Sequence, residues 1–145
     1  MPLFLTHSEK ETIELGKEFA RRFKKGDVIA LYGDLGTGKT RLIQGICAGL
    51  GVREHVASPT FTLINEYPVG EWTIYHFDFY RIQSQSEIVD IGFEEYLIRD
   101  GICLIEWAEK AAGLLPPTRY DVQLLLGDDD QAREIKIEEI VEVAA

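Results

Sequence analysis

The chain has 145 residues, long enough for one domain with a real core, and its 46% hydrophobic and 28% charged residues are ordinary for a globular fold. A formal net charge of -10 argues against unaided grip on nucleic acid. Cys47 and Cys103 lie in apolar patterns and read as reduced core residues, and His7, His55 and His76 have no metal-ligand spacing with them.

The opening Met-Pro-Leu-Phe-Leu is too short and lacks a basic flank for a signal peptide, and no apolar run reaches membrane-spanning length. A soluble cytoplasmic protein, with residues 1–145 as a single domain, is the expectation. Leu3 to Leu5 suits a short edge strand. Ser8-Glu9-Lys10-Glu11 is a capping-box pattern, so a helix should start at Glu9. Ile13, Gly16, Phe19, Ala20 and Phe23 recur at helical spacing on one face, and Lys24-Lys25-Gly26 should end the helix.

Val28 to Tyr32 is an apolar run that delivers the chain to Gly33-Asp34-Leu35-Gly36-Thr37-Gly38-Lys39-Thr40, the P-loop pattern. Glycines at 33, 36 and 38 let the backbone curl so that successive N–H groups face one anion. A helix beginning near Lys39 adds its unpaired N–H groups and positive dipole end. Lys39 would reach the β- and γ-phosphates, and the Thr40 hydroxyl would hold magnesium. The helix carries Leu42, Ile43, Ile46, Cys47 and Leu50 on one face, and Gly51 should stop it. Arg41 reads as an exposed helix side chain next to the loop.

Ser58-Pro59-Thr60 follows, where P-loop proteins keep a loop that senses the γ-phosphate. Thr60 or Ser58 suits that contact, and Ser-Pro equally suits the start of a turn. The second half of Ser58 to Tyr67 alternates like a half-buried strand, Pro68 to Glu71 reads as a hairpin turn, and Trp72 to Phe79 alternates again. Ile74, His76 and Asp78 share one face of that second strand. Ser84 to Glu87 is a second capping box before a short helix to about Ile91. Gly92 separates it from another, Phe93 to Ile98. Ile102-Cys103-Leu104-Ile105-Glu106-Trp107 reads as a buried strand ending in a carboxylate. Ala108 to Leu115 should be partly helical. Tyr120 to Leu126 and Arg133 to Ile140 should form a second hairpin around Gly127-Asp128-Asp129-Asp130.

The metal also needs a carboxylate, usually through water, at a neighbouring strand end. Glu106 and Asp78 both qualify. Glu106 is the first choice, because a parallel core strand normally supplies this ligand. Arg81 would neutralise phosphate charge or pair with Asp78. His76 reads as a packed strand residue, and Trp72 and Trp107 as apolar contacts.

Four motifs together resemble the TsaE (YjeE) family of small bacterial P-loop ATPases: the Gly33–Thr40 loop, Ser58-Pro59-Thr60-Phe61-Thr62-Leu63, His76-Phe77-Asp78-Phe79-Tyr80-Arg81 and Ile105-Glu106-Trp107. Their order and spacing cover nearly the whole chain. The resemblance implies an α/β fold, a mixed sheet with a parallel core and antiparallel hairpins, and helices on both faces. It implies ATP and magnesium as cofactors. It further implies a role in threonylcarbamoyl-adenosine formation at position thirty-seven of tRNAs reading ANN codons, with TsaD and TsaB as partners and tRNA met only through them. Carried over by position, Lys39 and Thr40 become phosphate and magnesium contacts and Glu106 the second metal-side carboxylate. Asp34, Leu35, Gly36, Thr37, Gly38 and Arg41 belong to the nucleotide-binding loop and its helix. Thr60 and Asp78 should affect hydrolysis. Ser8, Glu9 and Arg133 should lie on the adenine side. Position 37 is Thr where many relatives have Ala. The rival reading is a small-molecule or nucleoside kinase, for which Gln83 to Asp100, with Arg99, is the only candidate lid. A GTPase would want an Asn-Lys-x-Asp motif, and the sequence has none.

Overall fold

A computed structural model describes residues 2–142. Among them, seven strands form one sheet in the order β1-β7-β6-β2-β5-β4-β3. In chain order the elements are β1 (Leu3–Thr6), α1 (Glu9–Ala20), β2 (Val28–Tyr32), α2 (Lys39–Leu50), β3 (Ile64–Val69), β4 (Trp72–Asp78), α3 (Gln85–Asp90), α4 (Phe93–Leu97), β5 (Gly101–Glu106), β6 (Arg119–Leu126) and β7 (Arg133–Ile140), with a single 3-10 turn at Ala108–Ala111. Strands β6, β2, β5 and β4 run parallel. The hairpins β3–β4 and β6–β7, and the edge pair β1–β7, are antiparallel.

Alternation along β2 divides the core. Ile29 and Leu31 pack with Phe19, Leu42, Ile43 and Ile46 under α1 and α2. Val28 and Ala30 pack with Phe77, Phe79, Ile88 and Phe93 under α3 and α4. A parallel strand covered on both faces reads as an unbroken apolar run, which is why β2 and β5 stood out in the sequence. All six residues of β5 are buried, Glu106 included. No described helix is long and apolar enough to cross a membrane.

Local signals held where they were purely local. Ser8 caps α1, accepting from the Glu11 N–H at 3.1 Å. The Glu11 carboxylate, however, reaches back to the His7 N–H at 2.8 Å instead of to Ser8. Gly51 ends α2 in the left-handed conformation, at φ 103°. Elsewhere packing altered the expected bounds. Helix α1 stops at Ala20, not at Lys24-Lys25-Gly26. Tighter i to i−3 bonds from Arg21, Arg22 and Phe23 close its end and turn Phe23 against Tyr120, with ring centroids 4.9 Å apart. Thr12 is buried on its inner face where Ile13 was expected, and Ile13 is half-exposed. Pro68 lies inside β3, tolerated because β3 is an edge strand, so the hairpin turn shrinks to Gly70-Glu71. Ser84 makes no side-chain cap to α3; its hydroxyl pairs with Ser86.

Candidate functional site

Four parallel strands put four carboxyl ends on one edge: Tyr32 of β2, Asp78 of β4, Glu106 of β5 and Leu126 of β6. Open α/β sheets hold ligands at that edge. The β2 exit feeds the loop from Gly33 to Gly38, and α2 begins at Lys39. Gly36 and Gly38 take φ of 81° and 97°, in the left-handed region where a side chain is strained. At Gly33 a Cβ would come within 2.7 Å of Leu124 O and Thr37 Oγ1. The loop therefore has the form its sequence requires.

Lys39 is 6% exposed. Its ammonium donates to Gly33 O and, at 2.9 Å, to Asp34 O, and lies 4.3 Å from the centre of the Trp107 ring. Burial pushes its pKa below the usual lysine range, and Glu106, Glu109, Asp78 and Asp34 oppose that shift. The next hydroxyl, Thr40 Oγ1, donates to Glu106 Oε1 at 3.3 Å. The other Glu106 oxygen lies 2.7 Å from His76 Nε2.

Asp78 stands directly opposite Glu106 in the β4–β5 register. Two carboxylates so placed repel unless each has its own donors. Asp78 accepts from Ser58 Oγ, from Thr60 Oγ1 at 3.1 Å and from the Tyr80 N–H at 2.9 Å. It thereby ties the Ser58–Thr60 loop to the end of β4. Leu63, at the far end of that loop, has φ 70° and accepts from the Asp78 N–H at 3.0 Å. Trp107, directly after Glu106, has φ 59°. Two non-glycine residues in this region at one site are local strain held by the surrounding structure.

Lys39, Thr40, Glu106, Asp78 and Trp107 border a cavity of about 560 Å3, within the range of small-molecule sites. Ser8, Glu9, Leu35, Gly36, Gly38, Lys39, Thr40, Arg41, Thr60, Asp78, Glu106 and Arg133 all line it. Arg133 arrives because the β6–β7 turn hangs over the loop, where its guanidinium donates to Gly36 O at 2.9 Å. Arg41 pairs with Glu9 at 3.2 Å, linking the starts of α2 and α1. Asp34 and Thr37 do not line the cavity; Thr37 is turned inward and donates to Asp34 O at 2.8 Å, bracing the loop from behind. Thr12, Ser58, Tyr80, Trp107 and Gln131 also line it. Of these, Ser58 is one of the two residues whose place in the sequence suits a phosphate contact. Trp107 carried a signal in its place after Glu106, but its backbone turn, which aims the ring at Lys39, has no sequence signature. Arg81 makes no ion pair with Asp78 among the described residues and does not line the cavity; it lies over the exposed Phe61 ring at 4.4 Å. Arg99 stacks on Tyr96 at 4.1 Å and does not border the cavity.

The donor set fits a polyphosphate and a hard cation. Among the described residues no three His, Cys, Asp or Glu side chains form a metal cage. Thr40 and Glu106 are the residues that would hold a magnesium ion, which needs few protein ligands beside a phosphate.

Fold and site together define a mixed α/β protein built around a glycine-rich loop between its central parallel strand and a helix. The chain belongs to the TsaE family: the model described as threonylcarbamoyl adenosine biosynthesis protein TsaE matches residues 6–135. It is 43% identical over 130 residues to the tRNA threonylcarbamoyladenosine biosynthesis protein TsaE of Bacillus subtilis, covering 90% of this chain and 80% of that one. It is 40% identical over 134 residues to the protein of the same name from Haemophilus influenzae, covering 89% and 84%. The crystal structure of Bacillus subtilis YdiB superposes with a TM-score of 0.80 at 35% identity, over 97% of this chain and 86% of that one.

Proposed function

We propose that the protein is a magnesium-dependent ATPase that supports threonylcarbamoyl-adenosine formation at position thirty-seven of tRNAs reading ANN codons, acting with TsaD and TsaB. The observation that carries this reading is the convergence of Lys39, Thr40 and Glu106 on one cavity at the mouth of a glycine-rich loop, in a chain of the TsaE family.

The Lys39 ammonium would leave the carbonyls of Gly33 and Asp34 for the β- and γ-phosphates, gaining stronger charge-assisted contacts. Thr40 and Glu106 would hold the metal side. Magnesium held there would supply charge neutralisation at the phosphates. The Ser58–Thr60 loop, held by Asp78, faces the same space and would orient the terminal phosphate or the attacking water. Ser8, Glu9 and Arg133 also line the cavity and would contact the nucleoside end. With a net charge of -10, contact with tRNA falls to the partners. Two buried free thiols suit a reducing cytoplasm.

Slow ATP hydrolysis by the isolated protein, rising when TsaD and TsaB are mixed in, is the expected result. ATP-dependent phosphorylation of a metabolite by the protein alone would instead make it a kinase.

A further inference from the structure

Glu106 has a different neighbour on each oxygen, Thr40 on one and His76 on the other. His76 lies on β4, two residues before Asp78, on the sheet face that looks toward α2. In the register it stands opposite Leu104, so Glu106 is its diagonal neighbour. The ring is 0% exposed and does not line the cavity. One side packs on Tyr67, with ring centroids 6.1 Å apart. Nδ1 has no hydrogen-bond partner among the described residues. A ring so enclosed is out of reach of a nucleotide; what it touches is the back of Glu106.

One tautomer fits this setting. Hydrogen on Nε2 is donated to Glu106, and a bare Nδ1 faces the interior. Hydrogen on Nδ1 alone would bury an orphan donor and set two lone pairs against each other 2.7 Å apart.

Resting on the magnesium–ATP reading above, we propose that His76 is a positioning residue. Its Nε2–H fixes the Glu106 carboxylate so that the other oxygen faces Thr40 and the metal side of the cavity. Carboxylate rotation is otherwise soft. A partner behind a ligand commonly sets metal affinity in this way.

Manganese, read by electron paramagnetic resonance, reports metal binding to protein saturated with a hydrolysis-resistant ATP analogue. His76→Leu and His76→Asn, whose amide stops near the level of Nδ1, should weaken manganese binding about tenfold or more. Nucleotide affinity in EDTA should stay within about twofold of wild type, because the ring does not reach the cavity. His76→Gln extends its amide nitrogen as far as Nε2 and should recover most of the loss. Unchanged manganese affinity in His76→Leu overturns the proposal, as does a Gln variant no better than Asn. Nitrogen NMR of the wild-type ring needs no variant: hydrogen on Nε2 supports the proposal, and hydrogen on Nδ1 alone overturns it. Wild-type protein that binds no nucleotide removes the whole site reading. Normal metal–nucleotide binding with His76→Leu unaffected removes only the positioning role.

Discussion

Lys39 and Glu106 answer two different demands at one place. Lys39 keeps a cation where burial disfavours it, and nearby carboxylates offset part of that cost. The ammonium is hydrogen-bonded to the loop carbonyls of Gly33 and Asp34, and under the proposed function it would be the donor that a phosphate meets. Lys39→Ala should therefore weaken ATP binding by about a hundredfold or more, since charge-assisted bonds are the strongest lost; unaltered calorimetric titration would remove the loop from the argument. Glu106→Ala should behave otherwise. Nucleotide affinity should change little while magnesium-dependent turnover is lost, and equal turnover would transfer the metal-side role to Asp78. Asp78 already accepts from three protein donors, which suits it better to holding the Ser58–Thr60 loop.

At the scale of elements, the contact between α1 and α2 controls where the loop ends. The two helices meet through glycines. A Cβ on Gly45 would lie 2.0 Å from Ile13 O, and one on Gly16 would lie 2.4 Å from Leu42 O. Backbone cannot yield as a side-chain tip can. Gly45→Ala should push the helices apart, costing about 1–3 kcal/mol of stability or somewhat more, measurable as a lower urea midpoint. Because α2 begins with Lys39 and Thr40, the same variant should also lose nucleotide affinity. A stable Gly45→Ala protein with wild-type affinity would show that the close packing is dispensable. The Arg41–Glu9 and Arg133–Gly36 contacts are lighter braces of the same kind, joining α1 and the β6–β7 turn to the loop.

For the molecule as a whole, both faces of the sheet are covered, and this sets how stability responds to alkali. Burial pushes the Cys47 and Cys103 thiols up to about 12 from 9.0. Between those values the unfolded chain loses both protons and the folded chain keeps them. Stability is therefore intact below pH 9 and falls as pH rises toward 12, by about 1.4 kcal/mol per unit for each thiol. Urea midpoints measured across this range should show the fall, and a Cys47→Ala, Cys103→Ala double variant should flatten it. Tyr32, raised from 10.0 to about 12 chiefly by burial, adds to the same trend at its upper end.

By itself the sequence determined the loop, its strand and its helix. Their requirements are local: an apolar run, glycines where φ must be positive, a lysine and a threonine at the helix start. It also pointed to Glu106, because a carboxylate after four buried positions announces a strand end. Tertiary structure alone decided what surrounds these groups. It ended α1 at Ala20 so that Phe23 could reach Tyr120, set Asp78 opposite Glu106, and hung Arg133 over Gly36. It also joined His76 to Glu106 across 30 residues of chain. Strand order is chosen by which faces bury together, and no periodicity within one segment reports which segment will become its neighbour.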